Sequence, residues 1–436
     1  MYEFKFLIIT IFFFSILFFY MKIKKKETNT YNIEVILSLV IFIYALPVAI
    51  ANLFGLDNFQ LGDDRIINIY FGYILCALLI LVGFYVSSIS FSSLNNNEIS
   101  DKVIIDKQRL VMFFVLFAGI LLYSIYILTS YDNLAQMIQD TSREERFANA
   151  KGKGIFTSGI YLINFAWLFL FYSDLRSKNS KILKIHIILL LLYILFFSAS
   201  GDRRVWVSLV IGMVFMWSTI NKLPIIKMII FGVISLVFLQ VFSKIRGYSH
   251  SIDEMFNFFI LNFTYEWFDF SSGEFGWHYL IVSDVIDFVK VYGMEFGKTY
   301  MLAPLVSIPS FIYENKPTGL SPWYASIYFP DYFSSGGTLA FSFLAESYLN
   351  FSLAGPILIP FIFGYFIAVF LRFLKSKFKM EFFITICASL LSTVLIFARS
   401  DFSAVINQIV ISIFLPISIY FFCTFVIRLG TIKIRF

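Results

Sequence analysis

The chain has 436 residues, of which 59% are hydrophobic and only 14% charged, and its net charge is +6. A soluble domain is nearer half apolar and a quarter charged. The basic residues fall in short loops between apolar runs, so the surplus charge marks membrane topology and excludes a nucleic-acid-binding protein.

The chain opens on the run FLIITIFFFSILFFY, followed by KIKKK. Basic residues after the run, and no small-residue cleavage pattern, predict an uncleaved first helix that starts outside the membrane. Further runs follow, each long enough to cross a bilayer core as a helix. They are continuous rather than alternating, which predicts a helical bundle and not a barrel. The expected helices lie near 5–21, 33–52, 66–88, 110–129, 156–173, 183–200, 205–220, 225–243, 355–374, 382–398 and 403–427. The fold class is therefore all-α, a polytopic bundle of about 11 helices. Residues 1–243 supply eight of them, 244–353 form a long outer segment, and 354–436 supply the last three.

With the first residue outside, every inside loop is basic: Lys22 to Lys26, Lys102 to Arg109, Arg176 to Lys184, Lys222 with Lys227, and Arg372 to Lys379. The outer segment is too large and too aromatic for a linker. Its pieces FNFFILNF and HYLIVSDVIDFV are too short to span, and read as helices lying on or dipping into the membrane surface. The Pro-rich piece LAPLVSIPSFIYENKPTGLSPW is not expected to be a regular helix. Three cysteines inside apolar runs give no disulfide framework, and three scattered histidines give no metal-binding spacing.

Six arginines fall on the outer side, where positive charge is disfavoured: Arg143, Arg146, Arg203, Arg204, Arg246 and Arg399. Several sit at helix ends, at headgroup depth, where charge is costly and usually functional. The guanidinium fork matches phosphate oxygens, so the pattern points to a lipid pyrophosphate. The bland account, in which each arginine snorkels or pairs with a neighbouring carboxylate, is weaker for six at four separate places. In the outer segment EWFDFSSGEFGWH interleaves Trp267 and Trp277 with Glu274 and His278, a mixture too polar for a plain aromatic belt and suited to sugars. His278 has an ordinary pKa near ~6.5 and follows Glu274 by one helical turn, a spacing that suits a base and its orienting carboxylate. No Gly-rich phosphate loop appears, so no nucleotide cofactor is expected.

The stretch GTLAFSFLAESYLNFSLAGP resembles the O-antigen polymerase family, Wzy. The matching positions are Glu346, Tyr348, Asn350 and Phe351, and Ser352 stands where the family usually has Gly. ASGDRR resembles the family's hairpin, with Asp202 as a departure, and FARSDF, carrying Arg399 and Asp401, resembles its penultimate loop. The resemblance implies a metal-independent membrane glycosyltransferase with a GT-C-like bundle in the bacterial inner membrane. Its substrate would be oligosaccharide on undecaprenyl pyrophosphate at the periplasmic face, and a chain-length regulator would be its protein partner. It adds Glu346 and Asp401 to His278 and Glu274 as candidate acids and bases, and Tyr348 and Asn350 to Trp267 and Trp277 as candidate glycan contacts. A ligase has nearly the same chemistry and is separated only by the Glu346–Phe351 motif. A lipid-linked oligosaccharide flippase would show shorter outer loops.

Overall fold

The structure is a computed structural model that describes residues 2–24, 33–55, 61–90, 102–131, 153–178, 180–199, 203–221, 274–308, 312–334 and 337–433. Among these residues the regular structure is all helical, with no strand. The helices are α1 (Tyr2–Lys24), α2 (Ile33–Leu53), α3 (Asp63–Ser90), α4 (Lys102–Ser130), α5 (Gly159–Arg176), α6 (Ser180–Ala199) and α7 (Arg203–Ile220). They continue with α8 (Glu274–Tyr292), α9 (Lys298–Val306), α10 (Leu320–Tyr328), α11 (Phe343–Phe351), α12 (Gly355–Lys377), α13 (Met380–Arg399) and α14 (Phe402–Ile409). A π-helical turn, Val410–Phe414, joins α14 to α15 (Leu415–Lys433). Among the described residues, nine helices are long and apolar enough to cross a membrane, and α7 adds a shorter apolar one. The span expected at 225–243 and the piece FNFFILNF lie outside the described residues.

The Pro-rich piece is broken as expected, but its two ends are helical. Pro304 lies inside α9. Pro322 falls in the first turn of α10, where the missing N–H has no helical partner to lose.

Polar contacts sort the helix ends into two sets. At one end Arg109 of α4 pairs with Asp174 of α5 at 2.7 Å, and Arg176 of α5 pairs with Glu381 of α13. There too, Arg372 of α12 donates to the Ser87 carbonyl of α3, and Tyr20 of α1 donates to Glu34 of α2 at 3.0 Å. At the opposite end Lys5 pairs with Asp64 at 3.0 Å, Asn52 donates to Asp63 at 3.2 Å, and Lys153 donates to the Thr129 carbonyl at 2.6 Å. These are the two sets of ends that an alternating basic-loop pattern requires.

Small residues let the backbones meet. A methyl placed on Gly83 of α3 would lie 2.3 Å from the Phe361 carbonyl oxygen of α12, and one on Gly364 of α12 would lie 2.4 Å from that of Ile80. Gly119 of α4 and Gly159 of α5 form a second such pair, where a methyl on either would lie 2.8 or 2.5 Å from the other's carbonyl oxygen. In lipid, where apolar burial drives little association, backbone approach of this kind lets helices pack closely.

The turn between α11 and α12 explains one departure noted above. Ser352 has φ +49° and ψ −136°, a conformation that favours glycine. Such a backbone costs a residue with a Cβ roughly 1–3 kcal/mol. Ser352→Gly is expected to stabilise the protein by about 1 kcal/mol, read as a rise in the melting temperature in detergent.

Candidate functional site

α7 and α13 pack side by side, and a methyl on Gly212 would lie 3.4 Å from the Ala388 carbonyl oxygen. The two helices run in opposite directions. Arg203 opens α7 nine residues before Gly212, and Arg399 closes α13 eleven residues after Ala388. At the α-helical rise these positions stand about 14 and 16 Å above the crossing, so both helix termini reach the same level at the opposite end. Below them lies a small cavity lined on its polar side by Tyr161, Asn164, Ser208, Ser389 and Ser412. Asn164 is fixed there, accepting from the Tyr193 hydroxyl at 2.7 Å and donating to the Val205 carbonyl at 3.2 Å. The π turn brings in Ser412, whose hydroxyl donates to the Gln408 carbonyl at 2.6 Å. Polar groups at this depth are costly, and π turns recur at functional sites.

Glu346, only 1% exposed, joins three helices. Its Oε1 accepts from the Thr299 hydroxyl of α9 at 2.7 Å, and its Oε2 accepts from the Phe402 backbone N–H of α14 at 2.6 Å. Asn350, one turn along α11, donates to the Thr299 hydroxyl at 2.7 Å and to the Glu346 carbonyl at 2.8 Å. Ser342 caps α11 by accepting from the Ala345 N–H at 3.1 Å.

Asp401 works in the same joint. Its Oδ1 caps α14, accepting from the Ala404 N–H and the Ser403 hydroxyl, both at 2.8 Å. Its Oδ2 accepts from the Leu320 and Ser321 N–H groups at the start of α10, at 3.1 and 3.3 Å. The loop that follows Arg399 is therefore tied down by two buried carboxylates.

The other expected residues lie in different places. His278 is 2% exposed and meets the Tyr44 ring of α2 edge-on, with centroids 5.7 Å apart. Its neighbour Tyr279 donates to the Ala45 carbonyl at 2.5 Å. Ala45 is eight residues short of the end of α2, so this part of α8 sits about 12 Å below that end. α8 thus dips into the bundle, with Glu274 at its deep end and Tyr292 at the surface. Trp277 packs edge-on against Phe329 at 5.3 Å. Tyr348 is partly buried against the core, and Asn350 is fully buried. Arg143, Arg146, Arg246 and Trp267 lie outside the described residues.

Sequence reasoning passed over Thr299 and Asp284. Asp284 accepts a 2.5 Å hydrogen bond from the buried Tyr324 hydroxyl of α10. The available signal was a carboxylate inside the apolar run LIVSDVIDFV. Nothing in the pattern around Thr299 marks it.

The model of the family described as O-antigen polysaccharide polymerase Wzy matches residues 2–429. The chain belongs to that family. No curated protein and no solved structure matches it. As a Wzy family member the chain is a multi-pass membrane protein, a polymerase of O-antigen repeat units that acts on lipid-linked oligosaccharide. Two residues of the motif that resembled the family, Glu346 and Asn350, build this joint together with Thr299 and Phe402.

Proposed function

We propose that the protein transfers the growing glycan from undecaprenyl pyrophosphate onto the sugar of a newly delivered undecaprenyl-pyrophosphate-linked repeat unit. The reaction takes place at the periplasmic face of the bacterial inner membrane. The acceptor hydroxyl oxygen bonds to the donor's anomeric carbon as the carbon–oxygen bond to pyrophosphate breaks; the bonding pair leaves with undecaprenyl pyrophosphate, whose freed oxygen takes up the hydroxyl proton. The barrier lies in the charge that develops on that leaving group. Guanidinium groups fixed in a poorly hydrated site stabilise it and need no reorganisation as the bond breaks.

The observation that carries this reading is the common level of Arg203, Arg204 and Arg399, set by the contact of Gly212 with Ala388. Arg143, Arg146 and Arg246 are assigned to the same pyrophosphate from loops on the same side. Glu346 and Asp401 spend their oxygens on donors of the chain, and His278 is buried a leaflet's depth down, so we give all three a positioning role. Glu274 falls at the deep end of α8 and is assigned no part in the proton transfer. Trp267 is assigned to the glycan, whereas Trp277, as deep as His278, packs on Phe329, Asn350 supports the joint, and Tyr348 packs against the core. A chain-length regulator is the protein partner this activity calls for.

Deletion in a host with a known surface glycan tests the reading. Loss of a polymerase leaves one repeat unit on the lipid core, whereas loss of a flippase or ligase leaves none. In parallel, single cysteines at Asn315 and Lys153 should label from the periplasm, and cysteines at Lys178 and Lys377 should not. Labelling at Lys178 from outside would reverse the faces and remove the arginine site from the periplasm.

A further inference from the structure

A second polar surface occupies the same end, away from the arginines. α10 lies across α8, and Trp323 meets the Phe288 ring edge-on at 5.2 Å, while Phe288 leans on Tyr292 at 4.7 Å. Tyr292 is 75% exposed, so one ring face is open. Between these rings and Tyr328 sits Asp284, half-buried one turn before Phe288 on the same helix face. Its Oδ2 is held by Tyr324, and no donor among the described residues meets its Oδ1. Burial lifts this carboxyl above its ordinary value, while the Tyr324 hydrogen bond and the Arg65 charge draw it back.

Asp287, one turn further, is instead spent. It accepts from Arg65 at 2.5 Å and from Lys290 at 3.2 Å, and the Arg65 hydrogen bond holds its carboxyl below the usual range. Arg65 also donates to the Ser283 carbonyl at 2.8 Å, which pins the α8 backbone beside Asp284. The local cations are thus committed, and what the surface still presents is one carboxylate oxygen beside open ring faces. Such a pairing takes a sugar: ring C–H groups stack on the aromatic face, and a hydroxyl donates to the carboxylate. It repels phosphate and uronate, which sets it apart from the arginine end of α7 and α13.

We propose that Asp284, with the rings of Tyr292, Phe288 and Trp323, forms a subsite for an uncharged pyranose of the lipid-linked repeat unit. This rests on the polymerase reading above and gives it a direction. The pyrophosphate lies toward α7 and α13, and the glycan runs toward α8 and α10.

The test titrates the full-length protein in detergent with the repeat-unit oligosaccharide freed from its lipid carrier. Binding is read as the tryptophan fluorescence that Trp323→Phe removes. Asp284→Asn keeps an acceptor for Tyr324 but turns the open oxygen into a donor, and Tyr292→Ala removes an exposed ring, so both variants should melt like the parent. Each is expected to weaken oligosaccharide binding by about tenfold. With lipid-linked substrate each should raise KM by a similar factor, with kcat within about threefold, because the contact lies away from the reacting carbon. Unchanged binding and unchanged KM in both variants would overturn the subsite and leave the polymerase reading standing. Oligosaccharide binding that Asp284→Asn abolishes, in a protein that extends no chain in any form, would sink the polymerase reading and keep the subsite.

Discussion

Arg399→Ala is expected to cut chain extension by about a hundredfold to a thousandfold, the usual cost of removing one fixed donor from a developing oxyanion. Arg399→Lys should fall nearly as far. An ammonium carries the same charge but offers no planar fork to two phosphate oxygens. The substitution should leave the bundle intact. Arg399 is the last residue of α13, and the loop beyond it is held by Asp401 at the start of α14 and by Glu346 through the Phe402 N–H. The measurement is turnover of purified protein on lipid-linked repeat units, at matched melting temperature. Arg203→Lys should behave alike, since Arg203 shares the level of Arg399 at the neighbouring helix end. If either lysine variant kept turnover within about threefold of the parent, a point charge would suffice there and the bidentate clamp would be wrong.

The second large effect is expected at Glu346. Glu346→Ala leaves the Thr299 hydroxyl and the Phe402 N–H buried without their acceptor. Each unsatisfied group costs roughly 1–3 kcal/mol, so a loss of about 3 kcal/mol in stability is expected, together with loss of polymer. Glu346→Gln should be milder. Its carbonyl oxygen still accepts from Phe402, and its amide donates to a Thr299 hydroxyl that already accepts from Asn350. Melting temperature and turnover should then fall together across the Gln and Ala variants, as a positioning residue requires. A Gln variant that melts like the parent but extends no chain would show that the carboxylate itself takes part in the chemistry.

Most of the bundle was legible because two signals are simple in lipid. Continuous apolar runs give spans, and basic loops give their alternation, and both survive in the pairing of Arg109 with Asp174 and of Lys5 with Asp64 at opposite ends. The loop arrangement of α8 to α11 was harder to read. HYLIVSDVIDFV looks too short to span and reads as lying on or dipping into the surface, and it is part of a 19-residue helix whose Tyr279 sits about a dozen ångströms down. Its apolar deep half and its polar upper half, with Asp284, Asp287 and Lys290, blur the average that a hydropathy window takes. The site shows the same limit. Glu346 and Asp401 were visible as residues, but their partners come from α9, α10 and α14, and no local spacing encodes a contact between segments that far apart. Ser352 is the opposite case. A single departure from the expected glycine marked the turn, and the backbone there does adopt the glycine-favouring conformation.

The π turn at Val410–Phe414 sets the phase of everything after it. A π turn holds one residue more than an α turn, so it acts as a register insertion within an otherwise regular helix. Removing one residue there would let α14 and α15 run on as a single regular helix, with the side chains on either side still in phase. Tyr420, packed on Phe382 at 4.7 Å, would keep its face, and what would change is the turn that places Ser412 in the cavity below the arginines. A one-residue deletion in the regular helix on either side of the turn has no such slack, and swings each later side chain about 100° around the axis. The π turn is therefore the one stretch of this helix where a deletion is a local change and not a rotation of a whole face of the bundle.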